Sequence, residues 1–259
     1  MLDVHDNEGI TDIGGLSGMT VLQELDVSGC SVADTANNKA LGALTGCFAL
    51  KKLDVSSNAG VTDLGALVGL TLTHLNLSGT GITSIDTLAA SKDAQGNDIT
   101  NQIKGSLAEL DISGTKVTRI EGIVTVAGSQ VTNLLPSLKK LTAKNLALDS
   151  TGTLAEIARA TGFTASDYVW DFTGSTFDNM PDWQIAEINT AFADSDGSIN
   201  TNLKGFPLNH EHTYGTTWEK DETYHWQVCT ADGCSMTNGK AEHTFDSGVV
   251  TEISLSPRQ

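Results

Sequence analysis

The sequence predicts an α/β fold: a solenoid of stacked repeats with a curved parallel β-sheet, plus a small, mostly β C-terminal module. Three observations carry that prediction. A short segment alternating apolar and polar residues recurs along the first two hundred residues, its anchors spaced by 28, 22, 35, 31 and 29 residues. No aromatic residue occurs between Phe48 and Phe163, so that stretch must build its core from Leu, Ile, Val and Ala. Stacked layers can do this, because each presents the same modest side chain to the next. After Gly205 the composition shifts, and four of the six histidines fall between His210 and His243. The organisation read from this is 1–204 solenoid with a C-terminal cap, 205–210 linker and 211–259 small β module.

The recurring segments are "LDVHDN" from Leu2, "LQELDVSGC" from Leu22, "LKKLDVSSN" from Leu50, "LTHLNLSGT" from Leu72, "LAELDISGT" from Leu107 and "LKKLTAKNL" from Leu138. A degenerate copy, "DYVWDFTGS", starts at Asp167. Alternation at period two makes each a short strand with Leu and Val inward and the intervening residues outward. The anchors are Leu25, Leu53, Leu75, Leu110, Leu141 and Trp170. A second apolar cluster returns the chain along the convex side, as in "VTDLGALVGL" and "ITSIDTL"; the longer repeats have room for helix there, as in "TLAEIARATGF" at 153–163. Asn7, Cys30, Asn58, Thr80, Thr115 and Ser175 share one position after the strand, where small polar side chains can satisfy backbone groups between layers. Cys47 is read as convex-side core.

This pattern resembles the leucine-rich repeat, and in particular the short repeats of bacterial internalin-type surface proteins. The resemblance covers about residues 2–192 and implies a bacterial cell-surface or secreted protein. Met1 falls inside a repeat with no cap before it, so upstream sequence, including any signal peptide, is expected beyond this fragment. The polar segment "SKDAQGNDITNQIKGS", 91–106, reads as a protruding loop. In "MPDWQIAEINTAFAD", Pro181 suits a helix start, and Trp183, Ile188 and Phe192 at helical spacing suit a cap over the last layer.

The candidate ligand-binding surface is the concave face, made of the strand residues that flank each buried Leu. One column holds Asp3, Asp26, Asp54, Asn76, Asp111, Thr142 and Asp171; beside it run Glu24, Lys52, His74, Glu109 and Lys140. Asp after the Leu is frequent filler in this repeat family, so the second column is where ligand contacts are sought first. The bland alternative is a structural spacer that projects other domains from the envelope.

Charge narrows the partners. Lys and Arg total 15 against 32 Asp and Glu, a formal net charge of −17. That excess disfavours nucleic acid and anionic membranes, and no apolar run reaches the length of a membrane span. A monomer binding a protein, peptide or glycan is expected. "DSDGSIN" falls short of a calcium loop, because aligning it puts Phe192 and Leu203 where the first and twelfth ligands belong. No Ser, His and acid arrangement carries a nucleophile elbow, and no glycine-rich loop follows a strand before a helix. No catalytic residue is assigned and the chain is read as non-enzymatic, without cofactor.

The tail holds its own repeat: "EHTYGTTW" from Glu211 recurs as "EHTFDSGV" from Glu242. It resembles the short His-, Trp- and Cys-containing modules found in tandem near the C-termini of bacterial cell-surface proteins. So small a fold usually needs a staple. Cys229 and Cys234 can close a disulfide in an oxidising compartment. His225, Cys229, Cys234 and His243 alternatively form a zinc-type Cys2His2 set, and free thiols are the third reading.

Overall fold

The structure is a computed structural model. It describes residues 1–91, 99–120, 124–127, 130–149, 152–159, 163–177, 182–207, 213–221, 223–230 and 237–242. The chain divides into two compact units, Met1–Asn209 and His210–Gln259.

In chain order the strands of the first unit are β1 (Leu2–Asp3), β2 (Glu24–Asp26), β3 (Lys52–Asp54), β4 (His74–Asn76), β5 (Glu109–Asp111), β6 (Val124–Ala127), β7 (Gln130–Asn133), β8 (Lys140–Thr142), β9 (Ala147–Leu148), β10 (Val169–Asp171), β11 (Thr176–Phe177) and β12 (Leu203–Lys204). The main sheet runs β1-β2-β3-β4-β5-β8-β10-β12, and every pairing in it is parallel. The repeat anchors stack in register: Leu25, Leu53, Leu75, Leu110, Leu141, Trp170 and Leu203 are successive partners. Alternation therefore has the expected consequence. Leu53, Leu75 and Leu110 are at most 2% exposed, while their neighbours on either side face outward.

The convex returns are mostly single 3-10 turns, such as Gly65–Leu67 and Asp86–Leu88. Their apolar residues point into the stack; Leu67, Leu70, Ile85 and Leu88 are fully buried. Among the described residues, helices occupy three of the returns: α1 (Ile103–Ser106), α2 (Gly152–Arg159) and α3 (Asp182–Ala191). The antiparallel hairpin β6–β7 is inserted between β5 and β8 and packs against α2. β9 and β11 form a second, two-stranded parallel sheet.

Two expectations are corrected here. Helix α3 lies between β10 and β12 in the chain, so it is the return of a further layer and not a terminal lid; the sheet continues to Lys204. Ile188 and Phe192 are buried as expected, but Trp183 is 49% exposed, with the Arg159 guanidinium 5.8 Å from its ring centre. Pro181 lies outside the described residues. Nor does the end of the 91–106 segment protrude. Ile103 is fully buried, and the Asn101 amide donates to the carbonyls of Thr87, Leu88 and Ala90 at 2.9–3.2 Å. Residues 92–98 lie outside the described residues.

Every layer but the last also turns through a left-handed residue four positions after its anchor. The column is Asp6, Gly29, Ser57, Gly79, Gly114, Asn145 and Gly174, all with φ between 55° and 77°. Glycine suits it doubly at position 174, where a Cβ would strike Oδ1 of Asn145 in the preceding layer. The segment after α3 is a plain turn, with the Asp194 amide donating to the Ser198 carbonyl at 2.8 Å.

In the second unit, β13 (Tyr214–Lys220), β14 (Tyr224–Cys229) and β15 (Thr237–Glu242) form an antiparallel sheet in that order. Trp218 meets His225 edge-on, with ring centres 5.1 Å apart. Its indole also lies against Gly239, so that a Cβ there would push on the ring.

Candidate functional site

The outward residues of β2, β3, β4, β5 and β8 converge on one concave groove of about 310 Å³. All ten predicted contact residues line it: Glu24, Asp26, Lys52, Asp54, His74, Asn76, Glu109, Asp111, Lys140 and Thr142. Parallel, in-register pairing brings them together. Residues an odd number of places from a buried anchor face the same way in every layer, and stacking sets equivalent residues side by side.

The two columns differ in chemistry. The column from Glu24 to Lys140 partners itself across strands. Lys52 Nζ sits 2.9 Å from Glu24 Oε1, and Lys140 Nζ sits 2.8 Å from Glu109 Oε2. His74 Nε2 is 3.3 Å from Glu109 Oε1, and its Nδ1 is 2.8 Å from the Thr73 hydroxyl. The hydrogen bond and charge of Lys52 hold the Glu24 carboxyl below its ordinary range. Glu109 is lowered chiefly by the hydrogen bond from Lys140, against a smaller opposing push from burial, with His74 adding to the effect.

The Asp column is more than exposed filler. Asp26 Oδ1 accepts from the Ser28 amide at 2.9 Å and its hydroxyl at 2.6 Å. Asp54 holds Ser56 with the same two distances, and Asp171 holds Thr173 likewise. Asn76 and Asp111 each accept the amide two residues on, at 3.0 and 2.9 Å. Each side chain closes the turn that ends its strand, which is why short Asx residues recur there. The second oxygens differ: Asp54 Oδ2 accepts from Asn76 at 2.8 Å, and Asp171 Oδ2 pairs with Lys144 at 3.1 Å. Among the described residues nothing donates to Oδ2 of Asp26 or of Asp111.

Sequence reading passed over Ser28, Ser56 and Ser113, although the recurring "LDVSG", "LDVSS" and "LDISG" display them. It also passed over Lys144, which stands two residues past Thr142 and pairs with Asp171 of the neighbouring strand.

At the first-strand end, Asp3 Oδ1 and His5 Nδ1 are 2.6 Å apart. With Asp26 they bring one potential ligand atom each within 4.8 Å; Asp3 and His5 are surface residues. In the second unit Cys229 is buried. The disulfide and the zinc set predicted there both require Cys234, and the zinc set also His243; these two lie outside the described residues.

Strands stacked in register on a buried leucine column, one per repeat, define a leucine-rich repeat solenoid. A family model described as leucine-rich repeat matches residues 46–68 and 70–85. Among solved structures, the chain is similar to an internalin C2 from Listeria monocytogenes, with 19% identity over 70% of this chain and 74% of that one, at a TM-score of 0.45. It is also similar to an internalin F from the same organism, with 14% identity over 76% of this chain and 58% of that one, at a TM-score of 0.36. No curated protein matches the chain in sequence. No helix among the described residues is long and apolar enough to cross a membrane.

Proposed function

We propose that the solenoid is a non-enzymatic binding module of a bacterial cell-surface or secreted protein, taking a protein ligand on its concave face. The observation that carries this reading is convergence: ten outward side chains of mixed charge, from five successive sheet strands, line one groove. Stacking alone groups the outward residues; the mixture of acidic, basic and neutral side chains in the groove is what the stack does not dictate. The surface or secreted location is supported by the repeat's resemblance to internalin-type proteins. A monomeric state belongs to the same proposal.

A spacer is the second reading, and one observation favours it. The Glu24–Lys52 and Glu109–Lys140 pairs each join neighbouring strands, so they also serve the stack. Affinity capture of extracellular proteins by the immobilised chain separates the two readings. With the binding module, Lys52→Glu and Lys140→Glu each change the set of partners captured relative to the parent chain. A spacer captures the same set with or without these substitutions.

A further inference from the structure

The groove's charge distribution specifies its partner more narrowly. Resting on the reading of the concave face as a binding surface, we infer that it takes a basic protein segment in extended conformation, lying along the solenoid axis.

Five carboxylates line the groove against two lysines, and each lysine is already held by a glutamate. The uncompensated charge therefore lies on the Asp column. There, Asp54 shares its second oxygen with the Asn76 amide. Asp26 and Asp111 have no donor to theirs among the described residues, since in both only Oδ1 closes the local turn, and Asp26 also lies beside Asp3 and His5. Both are half-buried on the sheet face, where opposite charge interacts more strongly than in open water.

Spacing selects the conformation. Asp26 and Asp111 stand on β2 and β5, three parallel steps apart. At the usual strand separation that is about 14 Å. In an extended chain, residues i and i+4 share a face and are separated by about 13 Å. Two cationic side chains at i and i+4 thus match the two carboxylates. Adjacent cations do not, since consecutive side chains point to opposite faces. A second copy of this acidic chain is a poor occupant, because like charges would meet across the groove.

The probes are three five-residue peptides, acetylated and amidated: Lys-Thr-Val-Thr-Lys, its isomer Lys-Lys-Thr-Val-Thr, and Glu-Thr-Val-Thr-Glu. Each is titrated into the isotope-labelled full chain and followed by amide chemical shifts. The i, i+4 lysine peptide is expected to shift amides of β2 to β5 saturably and to bind about threefold tighter than its isomer. Asp26→Asn with Asp111→Asn is expected to weaken it about tenfold. These variants preserve the turns, because Asn76 already performs the same capping in the same column. The inference is overturned if the lysine peptide gives no saturable shift at millimolar concentration, if its isomer binds equally well, or if the double variant binds unchanged. A glutamate peptide that shifts the groove amides instead overturns the basic partner but leaves the concave face as a binding surface. Saturable shifts confined to residues outside the groove remove both.

Discussion

The Ser175 hydroxyl accepts the Leu146 amide N–H at 3.0 Å and donates to the Ala143 carbonyl at 2.6 Å. Leu146 occupies the register position that in other layers carries a small polar residue, so it cannot satisfy the backbone itself. The next layer's Ser175 reaches back and does so. Asn58 does the same in an earlier layer, donating to the Val27 carbonyl and accepting the Val32 amide, both at 2.9 Å. These side chains are rivets between layers.

Removing a rivet strands buried backbone groups. Ser175→Ala is expected to cost about 1–3 kcal/mol, and Asn58→Ala at least as much, because Asn58 is 1% exposed and serves more partners. Urea melts of the two variants beside Thr115→Ala check this. Thr115 bonds only within its own layer and is expected to cost less than either.

Anchor and Asp column are separable in energy. Leu110→Ala opens a cavity mid-stack and is expected to cost about 2–5 kcal/mol. Asp111→Ala loses one turn-closing hydrogen bond, worth about 0.5–1.5 kcal/mol. Equal midpoints in denaturant for the two variants would contradict the inward and outward assignment.

Left-handed positions set a third test. Gly174→Ala is expected to destabilise by more than about 1 kcal/mol, since its φ of 77° disfavours a side chain and the new Cβ meets Asn145. Gly15→Ala is the control: no atom lies within 4 Å of its would-be Cβ and its φ is not left-handed. Thermal melts of both report the difference.

Asp34 is expected to make the fold acid-sensitive. Burial pushes its carboxyl up, but bonds from the Thr62 hydroxyl and the amides of Ala40 and Thr62, with Lys39 near, outweigh that and hold it below the ordinary range. A carboxyl lowered on folding adds stability above its unfolded value of about 3.9, and this is lost as pH falls through the folded value. Urea melts between about pH 2 and pH 6 are expected to show a shallower acid decline for Asp34→Asn than for the parent chain. Parallel curves would assign the decline to other groups.

Much of this was legible in the residues themselves. Alternation around Leu25, Leu53, Leu75, Leu110 and Leu141 determined which side chains face inward, because strand geometry imposes that locally. The recurrence of that pattern determined the parallel stack, and with it the membership of the groove, since equivalent residues of stacked layers must lie side by side. The sequence could not say which partners those residues choose. That Lys140 holds Glu109, or that Asp54 leaves its second oxygen to Asn76 while Asp26 and Asp111 keep theirs, depends on side chains 22 to 31 residues apart meeting after the layers close. The hairpin β6–β7, the exposure of Trp183 and the extra strand at Leu203 were likewise decided by tertiary packing. Short apolar runs carry no signal of which element they join, and only contact with α2, Arg159 and β10 settles their places.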